Sequence, residues 1–329
     1  STFIFISVYI LLKLEFKLNH IIYILLICLI GNYKFILFGH HNIYEWVTTG
    51  DLPILLRLID SNFLVNDFYT NSISESPKII FGYLIFIISN IINYEYSIFF
   101  LKNIIFLSSP ILIYLILINF INLNSNKLFN CLILTGIILF GLDYLSFIFT
   151  YVRVGIGSFT SFNDVSAQSF SHILGLLSIL LFINNKKFFW QLSLFSTTII
   201  HPLVGIAYFF LLTVYFKNQN YNFNLYQFIL EKLMKHKFNF LICIVIPYMI
   251  ILITFYDNYL ISSEEFVYIY SYLRHPHHYI LSSFFNKLSF LYMCFPLGSL
   301  LIGVIKKNNN LINTSLITFC FFIFCLLTQ

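Results

Sequence analysis

The feature that most constrains this chain is the recurrence of apolar runs, each about as long as a bilayer is thick, from one end to the other. They lie at about 20–38, 97–121, 129–150, 168–183, 238–255, 284–305 and 311–327, with a longer run at 188–216. A membrane-spanning helix needs about 20 apolar residues. With 59% hydrophobic and 9% charged residues, the chain also has more apolar surface than a soluble domain of 329 residues can bury. The sequence therefore predicts an all-α, polytopic integral membrane helical bundle.

These runs leave no room for a separate soluble domain, so we expect a single transmembrane domain over residues 1–329. The chain opens at Ser1 and stops at Gln329, both within apolar segments, which is typical of a fragment truncated at both ends. The six cysteines lie inside apolar runs without disulfide or zinc-ligand spacing. The net charge of +5 is spread over many loops, so we expect no nucleic-acid partner and expect the lipid bilayer to be the main one.

The polar segments between the runs are of two chemical kinds. Lysines concentrate in one kind: Lys13, Lys17, Lys127, Lys186, Lys187, Lys217, Lys232, Lys235, Lys237, Lys306 and Lys307. Acidic residues concentrate in the other kind, at 39–78, 151–167 and 256–283. Because lysine-rich loops stay in the cytoplasm, we expect these three segments to be outer loops. We expect the chain to lie in a bacterial inner (plasma) membrane, with its active site outside the cytoplasm.

Crossing parity makes residues 79–92 a special case. An odd number of spans must separate the outer loop 39–78 from Lys127, so 79–92 and 97–121 cannot both cross. Residues 79–92 are too few to span the hydrocarbon core, and they follow Ser76-Pro77, a typical helix start. We therefore predict an interfacial or re-entrant helix there.

The run 188–216 has basic loops on both sides and must cross twice or not at all. His201-Pro202 divides it near the middle, and a proline interrupts the backbone hydrogen-bond ladder of a helix. This pattern predicts two short helices with His201 at the turn between them. A single long span is the alternative, which the positive-inside rule disfavours because it would place Lys232, Lys235 and Lys237 outside.

The first outer loop carries three spaced aspartates. Asp51 precedes Leu52-Pro53 as a helix N-cap does, and Asp60 is placed to end the same amphipathic helix. Asp67 has no such structural explanation, and a carboxylate there is a candidate general base or metal ligand. Simple solvation is the alternative for Asp67.

The last outer loop contains Tyr-Leu-Arg-His-Pro-His-His-Tyr at residues 272–279. The guanidinium of Arg274, with the imidazoles of His275, His277 and His278, forms a cationic group suited to a phosphate or pyrophosphate. Metal binding by two of these histidines is a second interpretation, although no cysteine or acid completes a zinc pattern. A polar loop without a binding role is the third.

The middle outer loop adds Arg153 and Asp164. Arg153 is a candidate substrate-binding residue, or alternatively a side chain that reaches from the helix end to the membrane interface. Asp164 is a second candidate, or alternatively the N-cap of the helix that follows. His172 lies about one turn into that helix, where an ionisable residue must face protein or a water-filled cavity.

The order of elements resembles the GT-C class of membrane glycosyltransferases. Members of that class have a first helix, a long acidic outer loop with interfacial helices, and a proline-led short helix before the second span. Residues 20–121 follow this plan, with Ser76-Pro77 at the short helix and Lys102 and Ser109-Pro110 in the second span. The acidic pair that many members carry after the first helix is replaced here by Gly39-His40-His41-Asn42. The Arg-His-Pro-His-His stretch is also similar to an uncharacterised bacterial multipass family.

The resemblance implies transfer of a sugar from a polyprenyl-phosphate donor to an acceptor on the outer face. Asp67 or Asp51 would then activate the acceptor hydroxyl, and Arg274 with its histidines would stabilise the leaving phosphate, with Arg153 as a helper. Participation of a divalent cation is left open. A multipass transporter or flippase is one alternative, and a polysaccharide polymerase or ligase is another.

Overall fold

The computed structural model describes residues 52–66, 79–120, 165–212, 237–254 and 287–307, together with residues 22, 26, 135, 312, 315 and 316. Across those ranges the chain is helical apart from short turns, and no β-strand occurs within them. The prediction of an all-α chain is therefore confirmed for this part of the molecule. The described residues fall into two compact units, one with residues 52–208 and 242–248 and the other with the remaining ranges from 209 onward.

The helix bounds follow the apolar runs closely. The helices are α1 (Leu52–Ile59), α2 (Ile79–Ile92), α3 (Tyr94–Phe120), α4 (Ala167–Ile183), α5 (Lys187–Ile200), α6 (Pro202–Phe210), α7 (Lys237–Phe240), α8 (Ile246–Thr254) and α9 (Lys287–Ile305). A π-helical segment, Leu241–Val245, joins α7 to α8. The predicted runs 97–121, 168–183, 238–255 and 284–305 are confirmed as helical to within about three residues. The runs 20–38, 129–150 and 311–327 lie almost wholly outside the described residues.

Helices α1, α2 and α3 pack in sequence, with α1 against α2 and α2 against α3. Asn93 separates α2 from α3. Its φ of 68° lies in the left-handed region, and this conformation ends α2. The prediction of a distinct helix over residues 79–92 is confirmed. That this helix does not cross a bilayer stays a prediction.

Helices α4 and α5 form an antiparallel hairpin around a three-residue turn. Asn185 occupies the left-handed region in this turn, with a φ of 56°. The Ser193 hydroxyl on α5 donates to the Leu174 carbonyl on α4 across 2.8 Å, and the rings of Trp190 and Phe182 meet edge to face at 5.5 Å. Helix α4 also packs against α3, so it lies between two neighbours and is buried along most of its length.

The chain folds back on itself at His201-Pro202. Helix α5 ends at Ile200, His201 is extended, and α6 begins at Pro202. A Cβ at Gly205 would lie 2.6 Å from the Thr198 Cα, whereas seven residues of continuous helix rise about 10 Å. Helix α6 therefore runs antiparallel to α5, and the predicted break into two short helices is confirmed. A single long span over 188–216 is excluded for the described residues.

Length and composition alone single out one long apolar helix. Among the described residues, Tyr94–Asn119 is long and apolar enough to cross a membrane, with a mean hydropathy of 2.0. Shorter apolar helices occur at Ile79–Ile92, Ala167–Ile183, Phe238–Thr254 and Pro296–Ile305. In the second unit, the rings of Phe209 and Phe240 pack at 5.3 Å, which ties the end of α6 to α7.

Candidate functional site

The side chains predicted to carry the chemistry lie outside the described residues. They are Asp51, Asp67, Arg153, Asp164, Arg274, His275, His277 and His278. Their convergence on one cavity therefore stays a prediction. The structure does describe the residues that border two of these segments, and it describes His172 and His201.

The segment before Asp67 is a turn that side-chain hydrogen bonds stabilise. Helix α1 begins at Leu52, directly after Asp51, as the N-cap interpretation requires, and it ends at Ile59. The Asp60 carboxylate accepts from the Asn62 amide at 2.9 Å, so the prediction that Asp60 ends the helix is confirmed. The Arg57 guanidinium donates to the carbonyls of Phe63 and Leu64. Arg57 and Asp60 therefore have local structural roles at this turn.

The start of α4 corrects one interpretation of the middle loop. Ser166, and not Asp164, occupies the N-cap position, and its side chain accepts from the Ser169 amide at 3.1 Å. The two hydroxyls also hydrogen-bond to each other at 2.8 Å. Ser166 accepts a hydrogen bond from a first-turn amide that has no acceptor within the helix. Capping therefore does not explain Asp164, two residues earlier.

His172 lies in the interior of the first unit, as predicted for an ionisable residue at this position. Its side chain is 8% exposed, and its Nδ1 is 3.2 Å from the hydroxyl of Tyr208 on α6. The two rings meet edge to face, with centroids 5.6 Å apart. Which atom donates depends on the imidazole tautomer. Gly175, one turn further along α4, provides the space in which the Tyr208 ring lies.

His201 lies at the tip of the α5–α6 hairpin, between the end of α5 and the start of α6. Ser193 contacts Leu174, and an antiparallel register carries the chain from there to His201 beside the first turns of α4. The fold thus brings His172 and Tyr208 together and places His201 at the hairpin turn.

Buried hydroxyl groups lie close in sequence to His172, on α4, and to His201, at the end of α5. Ser169 and Ser171 on α4 and Thr197 and Thr198 on α5 are fully buried. The Thr198 hydroxyl donates to the Cys243 carbonyl at 2.7 Å, which is within the π-helical segment. A π segment leaves backbone groups out of the regular helical ladder, and such segments are frequent at functional sites.

The contact between His172 and Tyr208 is suited to hydrogen bonding. Within the ranges that the structure describes, no three His, Cys, Asp or Glu side chains are placed to hold a metal ion. The predicted metal alternative at residues 275 and 278 lies outside these ranges.

Sequence reasoning anticipated His172 and His201 but missed Tyr208 and the burial of Lys102. Tyr208 is one of 23 tyrosines and lies inside an apolar run, so nothing in the sequence distinguished it as a partner of His172. Lys102, on α3, is only 7% exposed. A lysine within an apolar run is unusual enough to have marked it as a candidate buried charge.

Comparison of the chain with protein-family models, curated proteins and solved structures gave no match.

Proposed function

We propose that this chain is a polytopic membrane protein that transfers a sugar from a lipid-phosphate donor to an acceptor on the outer face. The membrane part is supported by the distribution of polarity in the described helices. Large apolar side chains point outward on several of them: Ile91, Leu203, Ile253 and Ile305 are 79%, 73%, 73% and 78% exposed. Beside an apolar core, the buried positions include small hydroxyl residues: Ser97, Ser109, Ser169, Ser178, Thr197 and Thr198.

This arrangement suits lipid better than water. An exposed apolar surface of this extent is unfavourable in water, whereas lipid tails solvate it. Buried serine, threonine and glycine residues allow close helix contacts, as at Gly205 and Thr198, and such residues are enriched between membrane helices. The hydrogen bond from Ser193 to Leu174 is an interhelical contact of the same kind.

The observation that carries the transferase proposal is the packed order of α1, α2 and α3. An eight-residue amphipathic helix in the first loop packs on a separate 14-residue helix, which leads into a 27-residue helix. This is the order of elements in the GT-C class that the sequence resembles. In the proposed reaction Asp67 or Asp51 takes the proton from the acceptor hydroxyl as that oxygen attacks the sugar. Arg274, aided by its neighbouring histidines and Arg153, stabilises the departing lipid phosphate.

A transfer assay tests the proposal. Membranes that contain the chain are incubated with radiolabelled polyprenyl-phosphate sugars, and label is followed into non-lipid products. We expect activity that is lost in Arg274→Ala and retained in Lys307→Ala. The control removes the same charge from an exposed turn on the proposed cytoplasmic side. A fully active Arg274→Ala protein would remove the proposed mechanism.

The broken helix favours a second candidate, a transporter or flippase. Transporters form their sites at interrupted helices with polar groups in the membrane interior, and the break at His201-Pro202 has that character. Proteoliposomes loaded with a labelled lipid-phosphate sugar separate the two functions. A transporter moves the intact labelled lipid between leaflets, whereas a transferase releases the lipid phosphate and leaves the label on the acceptor.

A further inference from the structure

We propose that the helix over residues 237–254 contains a hinge at its π-helical segment, Leu241–Val245, and that the Thr198 hydroxyl is the latch that holds it in one bend. In the latched state, which the structure shows, Thr198 donates to the carbonyl of Cys243. In the released state the hydroxyl donates only within α5, and the helix changes its bend. The inference is independent of the proposed transfer reaction.

The sequence places a proline where the helix needs a backbone donor. In a regular α-helix the Cys243 carbonyl accepts from the amide of residue 247, but this residue is a proline and has no N–H. The proline ring also crowds the carbonyl four positions earlier. A π-helical adjustment before the proline gives that carbonyl room, and α8 resumes at Ile246. Pro247 is therefore the physical cause of the π segment.

Helix α5 supplies a donor in place of the proline. The Thr198 hydroxyl donates to the Cys243 carbonyl at 2.7 Å, and both residues are fully buried. The Cys243 thiol in turn donates to the Gln191 carbonyl at 3.6 Å. Residues 191 and 198 are two helical turns apart, so α5 contacts the π segment along one face. Because a buried carbonyl without a donor is costly, Thr198 stabilises the widened backbone.

The Thr198 hydroxyl has a second acceptor within its own helix. Its oxygen is 3.0 Å from the Leu194 carbonyl, and a hydroxyl has one proton to donate. The proton can pass wholly to Leu194 without leaving Thr198 unsatisfied. Release therefore costs the bond to Cys243 alone, and the latch has two defined states.

The packing around Thr198 distinguishes it from its neighbour. Gly205 on α6 lies directly against Thr198, since a Cβ there would be 2.6 Å from the Thr198 Cα. Thr198 thus lies between α6 and the π segment. Thr197 is also fully buried, but its hydroxyl donates to the Ser193 carbonyl of its own helix. The chain therefore provides a matched control for the latch.

Release of the latch changes the direction of α8. Prolines and π-helical segments are the sites at which helices bend sharply. Helix α8, Ile246–Thr254, has nine residues beyond the hinge. A change in bend of about 20° displaces the far end of such a helix by about 5 Å. The hinge therefore changes the position of the residues that lead into the predicted outer loop 256–283.

Nuclear magnetic resonance of the full chain in lipid nanodiscs tests the hinge at one peptide bond. Cys243-Ile244 is the only Cys-Ile pair in the sequence, so cysteine labelled with carbon-13 at its carbonyl and isoleucine labelled with nitrogen-15 give a single correlation signal. The carbonyl chemical shift reports the hydrogen bond to Cys243, and relaxation dispersion reports exchange between states. In the wild type we expect exchange between a major hydrogen-bonded state and a minor state with a lower carbonyl shift.

Three variants separate the latch from the hinge. Thr198→Val keeps the shape of the side chain but removes the donor, so the minor state of the wild type should become the major one. Thr197→Val should leave the wild-type signal unchanged. Pro247→Ala restores an amide donor for the Cys243 carbonyl, so the exchange should disappear. Addition of Thr198→Val to Pro247→Ala should then have little effect on the carbonyl shift.

Two results would overturn the proposal. One is a Cys243 carbonyl shift that is the same in Thr198→Val as in the wild type. The other is exchange in Pro247→Ala that equals exchange in the wild type. If Thr198→Val does not fold, the Pro247→Ala comparison decides by itself, because that variant keeps every side chain of α5.

Discussion

Replacement of Gly175 by alanine should disturb the contact that holds the α5–α6 hairpin against α4. A Cβ at this position would lie 2.6 Å from Cγ of Tyr208, and its other near neighbours are atoms of the same ring. Ordinary contacts of a Cβ begin near 3.4 Å. The ring cannot move aside freely, because it is 5% exposed and its hydroxyl is hydrogen-bonded to His172.

The expected magnitude follows from three contributions. Overpacking a filled interior costs about 1–3 kcal/mol. Displacement of the ring also weakens one buried hydrogen bond, which is worth about 1 kcal/mol. Alanine is favoured over glycine inside a helix by about 1 kcal/mol, which offsets part of this loss. We therefore expect Gly175→Ala to lower the free energy of unfolding by about 1–3 kcal/mol.

The chain supplies a matched control in α9. A Cβ at Gly298 would meet nothing within 4 Å, so Gly298→Ala should stabilise its helix by up to about 1 kcal/mol. Unfolding of the detergent-solubilised protein by sodium dodecyl sulfate, followed by circular dichroism, measures both variants. Adding Tyr208→Leu to Gly175→Ala should recover part of the loss, since the smaller side chain relieves the clash. The reasoning fails if Gly175→Ala is as stable as Gly298→Ala.

Three further predictions concern the hairpin turn, the first loop and the topology. Gly205→Ala should destabilise the protein by about 2 kcal/mol or more, because its Cβ would meet the backbone of Thr198, which cannot rotate away; wild-type stability in the same unfolding assay would contradict this. Arg57→Gln should lower the free energy of unfolding by about 1–3 kcal/mol, since the guanidinium donates to two carbonyls at once; faster proteolysis within residues 60–66 is the local measurement, and an unchanged rate would argue against a structural role for Arg57 at this turn. Cysteines placed at Glu264 and Lys235 should react with an impermeant thiol reagent from opposite sides of the membrane; labelling from one side only would overturn the topology.

The helix bounds were predictable because the properties that set them are local. Apolar run length gave α3, α4 and α9 to within a few residues, and Pro202 marked the break because a proline cannot continue the backbone ladder of the helix before it. Asn93 was not anticipated as the boundary between α2 and α3, since asparagine tolerates a left-handed conformation without requiring it.

The tertiary contacts were not predictable from the sequence. His172 and Tyr208 are 36 residues apart, and the contact depends on the space left at Gly175 and on the reversal of the chain after Thr198. Ser166 was not preferred over Asp164 as the N-cap, because both residue types cap well and only the backbone decides between them. The side on which each loop lies depends on the membrane as well as on the chain, so charge bias gives an expectation that labelling must test.

The hairpin of α5 and α6 against α4 has a consequence for how the protein is made. All three helices come from residues 167–210, and their mutual contacts span short stretches of chain, so little loop entropy opposes their association. These three helices can associate as soon as they leave the ribosome, before α8 and α9 are synthesised. The bond from Thr198 to Cys243 is the exception, since it must wait for about 45 more residues. Defects at Gly175 or Gly205 should therefore appear first as low yield of inserted protein during synthesis, and defects at Cys243 only after release of a longer chain.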